Sequence, residues 1–333
     1  MRILPCALVV LALVGCNRDE GIPSEMSAPA DLTFVPCGVD RPQPPTIMTL
    51  RTPLDLMSPT VTYRNAYEGQ SVSLLPAASS QLVVTSVFPS GFAIGDPSAL
   101  YDPKTDTGGW NHVFVSMTPP PVGLAMGSVI SRVDGLVLDT VGFTEIAPCR
   151  TPEPTDTATV PKSNVLSSTD APRLAASSIS LLRQTASTVT LTGFVCPIDQ
   201  TTTTGKSWVQ YNTFQLELPT SISGRPTGDC GSFSTFGISL PGKTLGSFDP
   251  LQCTPQSVSS TGCLITVTGM LKNSSGQVDD LGSAGGAPTA CKTSADCVAA
   301  GLGSDPCVEG TCKKGLYDFW TILPRSASDI VVM

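Results

Sequence analysis

The stretch Val129-Ile130-Ser131-Arg132-Val133-Asp134-Gly135-Leu136 has a counterpart later in the chain, Leu264-Ile265-Thr266-Val267-Thr268-Gly269-Met270-Leu271. A further apolar run with a threonine follows each of them, Thr144-Glu145-Ile146 in one half and Thr321-Ile322-Leu323 in the other. β-Branched residues favour strands, and glycine inside a strand permits the strong coiling that a barrel corner needs. This internal repeat predicts two β domains in tandem.

The rest of the chain agrees with an all-β fold. Short runs of Val, Thr, Ile and Phe stand between Gly, Pro, Ser and Asp, and helical periodicity is nearly absent. Two segments rich in proline and small polar residues divide these runs. Such segments form extended spacers. We therefore predict a tether at residues 16–60, a first β domain at 61–150, a linker at 151–174 and a second β domain at 175–333.

The first 15 residues have the pattern of an export signal. Arg2 is the only charge before the apolar run at residues 3–14, which is too short to span a membrane. The next motif, Leu13-Val14-Gly15-Cys16, resembles the bacterial lipobox. The resemblance implies cleavage before Cys16 and attachment of lipid to it, so that the protein is held at a membrane. An ordinary secretory signal is the alternative. An aspartate directly after the lipidated cysteine resembles an inner-membrane retention signal of some bacteria. Asn17 stands at that position, which favours the outer membrane.

Cysteine usage agrees with export. The chain has twelve cysteines, and ten remain once Cys6 leaves with the signal and Cys16 is lipidated. An even number in an oxidising compartment indicates disulfides. The last four lack the close Cys-x2-Cys pairs of zinc sites, so we predict no metal site. The disulfide candidates are Cys37, Cys149, Cys196, Cys230, Cys253, Cys263, Cys291, Cys297, Cys307 and Cys312.

The last four cysteines lie in an insert at about residues 280–315, between the two final runs of the second domain. The insert resembles small cysteine-rich modules of bacterial surface proteins at Asp296-Cys297 and Glu309-Gly310-Thr311-Cys312. So short a segment cannot bury a core unaided, which makes cross-links the expected source of its stability.

Several motifs resemble one fold family in sequence order. Tyr67-Glu68-Gly69-Gln70-Ser71-Val72, Gly91-Phe92-Ala93-Ile94-Gly95-Asp96 and Val133-Asp134-Gly135-Leu136 resemble the OB-fold domains of secreted bacterial proteins, often found beside nucleases. The second half is similar at Val189-Thr190-Leu191-Thr192-Gly193 and Phe319-Trp320-Thr321-Ile322-Leu323. The resemblance implies two tandem OB-like barrels that act as a binding or adaptor module without chemistry of their own.

The sequence contains no recognisable catalytic motif. The chain has neither a Gly-x-Ser-x-Gly nucleophile elbow nor a phosphate-binding or dinucleotide-binding loop. Its one histidine, His112, begins an apolar run, where a structural position is favoured over a role as general base. We therefore predict no catalytic residue, no cofactor and no enzymatic activity.

Candidate ligand contacts lie in the second domain. OB folds bind oligonucleotides or oligosaccharides on the face of strands 2 and 3 and on nearby loops. Trp208, Tyr211 and Phe214 fall in that region, where exposed rings would stack on sugars or bases. Alternatively, Phe214 belongs to the core and Trp208 covers the barrel end. Arg325 is predicted to pair with Asp329 at the end of the last strand, and contact with an anionic ligand is the alternative.

The charge balance disfavours nucleic acid as a partner. The formal net charge is −8, and no cluster of Lys and Arg is present. The leading prediction is a non-enzymatic envelope lipoprotein, anchored through its N-terminal lipid, that binds a protein or glycan partner. Two alternatives are a structural envelope lipoprotein without a ligand and a single-stranded nucleic-acid binder that serves an extracellular nuclease.

Overall fold

Strands dominate the protein in a computed structural model, which confirms the predicted all-β class. The predicted signal peptide and Cys16 lie outside the residues it describes, as do Cys230, Cys291 and Cys297. The structure describes residue 37 and residues 44–52, 65–102, 108–140, 143–166, 179–198, 208–209, 211–218, 235–253, 262–276, 307–308, 311–312 and 317–333.

The first sheet is a curled half-barrel of eight strands in the order β1-β6-β7-β4-β3-β2-β5-β8. β1 is followed in the chain by β2, and β5 is followed by β6. β1 pairs antiparallel with β6, and β2 pairs antiparallel with β5. Its core contains Val84, Phe92 and Val113. The strands are β1 (Ser71–Leu74), β2 (Leu82–Phe88), β3 (Gly91–Gly95), β4 (His112–Ser116), β5 (Ser128–Ile130), β6 (Val133–Thr140), β7 (Phe143–Pro148) and β8 (Pro154–Thr157).

The second sheet closes into a five-stranded barrel with two additional strands. The ring is β10-β11-β12-β16-β13, and pairing of β13 with β10 closes it. β12 and β16 are parallel, and the other ring pairs are antiparallel. The seven strands are β9 (Asn164–Leu166), β10 (Thr188–Val195), β11 (Thr213–Glu217), β12 (Thr235–Ser239), β13 (Leu264–Gly276), β16 (Tyr317–Leu323) and β17 (Ile330–Val332). A separate two-stranded sheet pairs β14 (Cys307–Val308) with β15 (Thr311–Cys312).

The ring has the strand order of an OB fold, 1-2-3-5-4-1, as the resemblance implies. The glycines of the internal repeat lie where strands approach each other closely. A Cβ atom on Gly135 would meet the carbonyl oxygen of Ala147, and one on Gly269 would meet that of Leu323. Backbone approach of this kind requires glycine, which explains why both copies of the repeat carry it.

Helices are few and short among the described residues. They are α1 (Ile47–Arg51), α2 (Ile179–Leu182) and α3 (Pro250–Cys253), with 3₁₀ turns at Pro97–Ala99 and Ala327–Asp329. None of these is long and apolar enough to cross a membrane.

Parts of the predicted spacers are structured. In the segment expected to be a tether, α1 buries Ile47 and Leu50 in the core of the half-barrel. The expected linker supplies β8 to the first sheet and β9 to the second. Proline is compatible with both places because edge strands leave one side of the backbone unpaired. Their composition predicted spacers. In the structure, a few buried apolar side chains and pairing at the sheet edges order parts of these segments.

The cysteines divide into bonded and free ones. Cys37 and Cys149 form a disulfide with an S–S distance of 1.99 Å, and Cys196 is also disulfide-bonded. Cys307 and Cys312 are register partners in the β14–β15 hairpin. The prediction that all ten cysteines are cross-linked is wrong for Cys253 and Cys263, which are free thiols.

Arg51 joins the half-barrel to the segment that enters the closed barrel. Its side chain is buried, and its Nη1 donates to the carbonyl oxygen of His112 at 2.8 Å. Its Nη2 donates to the carbonyl oxygen of Leu182 at 2.7 Å, and its guanidinium lies 5.4 Å from the ring centroid of Trp110. A planar, permanently charged fork can satisfy several carbonyls at once, which lysine cannot. One side chain therefore fixes two parts of the fold together.

An apolar cluster lies at the same junction. Ala186 and Met270, from the closed-barrel half, pack with side chains of the half-barrel. Its buried members are Phe88, Ala93, Phe114, Phe143, Ala186 and Met270.

His112 is buried beside Arg51, and its position is structural. Burial and the Arg51 charge lower its pKa to about 3, although Asp96 acts in the opposite direction. Its Nδ1 lies 2.9 Å from the Asn111 side-chain oxygen, an acceptor that suits the neutral Nδ1–H tautomer. At neutral pH the ring is therefore uncharged and enclosed.

We expect acid to destabilise the protein through His112. The unfolded chain takes up this proton below pH ~6.5, whereas the native chain does so only near pH 3, so stability falls as pH drops through that interval. At pH 5 this one group removes about 2 kcal/mol. Urea unfolding of wild type and His112→Gln at pH 7.5 and pH 5 measures it, because the variant lacks this loss. Equal losses in both proteins would contradict the buried neutral histidine.

Candidate functional site

A cleft of about 340 Å³ opens at the end of the closed barrel where β11 begins and β12 ends. The amide N–H of Leu240 donates to the carbonyl oxygen of Asn212 at 3.1 Å, which ties the two chain segments together there. One wall comes from the connection between the first two strands of the ring, a segment that OB folds use for ligands. The cleft is lined by Trp208, Val209, Lys243, Thr244, Asp249 and Leu251.

The predicted aromatic platform is not formed, because two of its three rings are in the core. Trp208 is only 2% exposed, and its ring meets that of Phe214 edge-on at 6.3 Å. Phe214 also packs 5.9 Å from Phe248, between ring centroids. The alternative drawn from the sequence is confirmed: Phe214 is a core residue and Trp208 covers the barrel end.

Tyr211 is the predicted ring that remains accessible, with 56% of its surface exposed. Asn212 adopts a positive φ of 52° directly before β11, a conformation that asparagine tolerates better than most residues. This turn separates Tyr211 from the inward-facing Phe214. Val209 and Leu251 are also exposed nearby in the chain segments that form the cleft. The opening thus has an accessible apolar rim.

Lys243 is held in a defined place by the barrel end. Its Nζ donates to the carbonyl oxygens of Trp208 at 2.6 Å and Val209 at 3.0 Å, and it lies 4.9 Å from the Trp208 ring centroid. An ammonium has three donors, and the described residues accept bonds from two of them. Sequence reasoning missed Lys243, because only the pairing of β11 with β12 brings it to Trp208.

Asp249 provides the negative charge of the cleft. Its Oδ1 accepts the N–H of Leu251 at 3.0 Å, and its Oδ2 accepts a bond from the Gln252 amide at 3.4 Å. With Thr244, the cleft offers a cation, a carboxylate and a hydroxyl below an apolar rim. Such a set can donate to and accept from the hydroxyl groups of a neutral ligand.

Arg325 forms the predicted pair with Asp329. Its Nη2 lies 2.6 Å from Oδ1 and its Nε 3.0 Å from Oδ2 of that carboxylate. Burial alone would raise the pKa of Asp329, but hydrogen bonds from Arg325 and Ser326 outweigh it and lower that pKa. The Nη1 group reaches Thr85 O at 3.4 Å and Met126 Sδ at 3.2 Å, both in the half-barrel. Arg325 thus holds the two halves together.

The two free thiols are close neighbours. The N–H of Cys263 donates to the carbonyl oxygen of Cys253 at 2.9 Å, and the thiols share a hydrogen bond. Burial, the bond to Cys263 and the Asp249 charge raise the pKa of Cys253 to about 12. The reactive form of cysteine is the thiolate, so this thiol is poorly reactive.

We expect iodoacetamide at pH 8 to alkylate Cys253 at least about a hundredfold more slowly than an unhindered thiol, because so little thiolate is present. Peptide mapping by mass spectrometry follows the label. Cys263→Ala removes the partner thiol and should accelerate labelling of Cys253. In urea without reductant both cysteines should label normally, and absence of label there would mean that the pair is cross-linked.

Metal ligands do not gather in the part of the chain that the structure describes, where no three His, Cys, Asp or Glu side chains could hold an ion. The chain matches no known family model and no curated protein.

Proposed function

We propose that this protein is a non-enzymatic envelope lipoprotein whose closed barrel binds a glycan in the cleft beside Trp208. The observation that carries the proposal is a cleft lined by the fixed Lys243 ammonium and the Asp249 carboxylate, with the exposed Tyr211 ring two positions along the chain from the lining residue Val209. Sugars present an apolar ring face and a fringe of hydroxyls, and this arrangement offers a partner to each.

The rigidity of the cleft supports binding. Trp208 is packed edge-on against Phe214, and Lys243 is fixed by two carbonyls and a ring, so little order has to be imposed when a ligand arrives. Preorganisation of this kind lowers the entropic cost of association. The charges in the cleft are of both signs, which favours a hydroxyl-rich polymer over a phosphate backbone.

Attachment of lipid at Cys16 would place this cleft near a membrane. Cys37 is fixed to Cys149 at the end of the half-barrel. Cys16 and Cys37 are 21 positions apart (37 − 16), a length of chain that reaches at most ~70 Å when extended. A lipid on Cys16 would thus confine the folded part to the layer of polymers next to the membrane.

We expect the wild-type chain to bind glycans on an array of envelope polysaccharide fragments, and Tyr211→Ala to weaken that binding about tenfold because a stacking ring is lost. Val165→Ala is the matched control. Val165 is similarly exposed, but it lies on the edge strand β9 and does not line the cleft.

Two outcomes would contradict glycan binding. One is the absence of any glycan signal, which favours a structural protein without a ligand. The other is binding to a fluorescein-labelled oligothymidine that weakens with salt, which favours the nucleic-acid alternative.

Lipid attachment is tested by itself. Cells that express the full chain are fed radiolabelled palmitate, and the label should appear on wild type but not on Cys16→Ser. A Cys6→Ser chain is the control, because Cys6 precedes the expected cleavage site and should not affect labelling. Equal label on wild type and Cys16→Ser would exclude Cys16 as the attachment point.

A further inference from the structure

Among the described strands, β17 is an edge strand with one side unpaired. It lies at the end of the second sheet and pairs antiparallel with β13, Val331 opposite Thr266 and Val332 opposite Ile265. Unpaired strand edges are templates for another extended chain, and folded proteins commonly protect them with charge, proline or a covering segment. Ile330, Val331, Val332 and Met333 carry neither a charged side chain nor proline.

The register shows which backbone groups face outward. The N–H of Met333 donates to the carbonyl oxygen of Leu264 at 3.0 Å. Met333 and Leu264 therefore occupy a hydrogen-bonded position of the antiparallel ladder. In an antiparallel ladder such pairs alternate, so the polar groups of Val331 also face β13 and those of Val332 face the opposite side. The N–H of Ile330 donates to Ala327. Within the described residues, the N–H and C=O of Val332 have no partner.

A groove of about 460 Å³ runs along this edge. Leu245, Phe248 and Gln252 form its far wall, opposite Ile330 and Val332. The side chains of Val331 and Val332 are about half exposed, and Met333 is more exposed still. An occupant would therefore find main-chain hydrogen bonds on one side and apolar contacts around them.

The charge of the groove restricts the occupant further. Its one charged lining residue is Asp249, and the oxygens of that carboxylate already accept bonds from Leu251 and Gln252. A segment with acidic side chains would be repelled by this carboxylate. The other lining residues are uncharged and mostly apolar, so the chemistry fits an uncharged apolar strand.

We propose that the outer edge of β17 binds an extended, uncharged apolar segment of a partner polypeptide by strand addition. Main-chain hydrogen bonds to Val332 supply affinity, and the Leu245–Phe248 wall receives alternate side chains of the segment. The groove shares Asp249 with the glycan cleft, but Lys243 and Trp208 line only the cleft, and the edge of β17 lines only the groove.

The test uses the full chain and a fluorescein-labelled peptide that copies residues 264–271, the strand sequence that already pairs with β17. Because strand addition draws on backbone bonds, the probe does not have to be the natural segment. Saturable fluorescence anisotropy is expected. Val332→Pro removes the outward N–H without breaking a bond to β13 and should weaken binding about tenfold.

Val332→Ala is the matched variant, since it keeps the N–H and should retain most of the affinity. Hydrogen exchange on wild type locates the peptide: the Val332 amide should become protected. Equal binding by Val332→Pro and wild type, protection on β9 instead, or absence of saturable binding would each overturn the proposal. A far-ultraviolet circular dichroism spectrum of the Val332→Pro chain that matches wild type confirms that this variant is folded.

Discussion

The antiparallel ladder between β10 and β13 is the interaction on which the closed barrel depends. It runs from Thr188 opposite Met270 to Phe194 opposite Leu264, and it joins the first and fourth strands of the ring. Because β13 also pairs with β16 and β17, one strand organises most of the sheet. Loss of this ladder would open the ring.

Strand pairing also determines which polar side chains lie close together. Lys243 follows the third strand of the ring and Trp208 precedes the second, so they meet because β11 and β12 are paired from Thr213 opposite Ser239. The chain segment 243–253 that begins there lines the cleft on one side and the groove on the other, and Asp249 belongs to both. A short connection between two strands thus contributes to two surfaces of different character: a polar cleft with exposed Val209 and Leu251, and an apolar groove beside a strand edge.

The sequence predicted the elements well and the tertiary neighbours poorly. The repeat with Gly135 and Gly269 identified the coiled strands because strand periodicity and close backbone approach leave local signals. The alternation of residues also allowed Phe214 to be a core residue. The positions of Lys243 and of the unpaired edge at Val332 left no local signal in the sequence. They depend on the pairing of β11 with β12 and on the order of strands in the sheet. Cysteine number failed for a related reason: an even count indicates that pairing is feasible but not that each thiol is bonded.

The junction between the two halves relies on charged groups in an apolar setting. Arg51 carries a permanent charge among carbonyls and the Trp110 ring, and it disfavours a second positive charge on the adjacent His112. Arg325 repeats the arrangement at another place, where Asp329 neutralises it and Thr85 extends the contact into the half-barrel. Breaking a buried ionic contact is costly because the remaining charge loses its partner. Directional bonds as well as apolar packing therefore join the two halves.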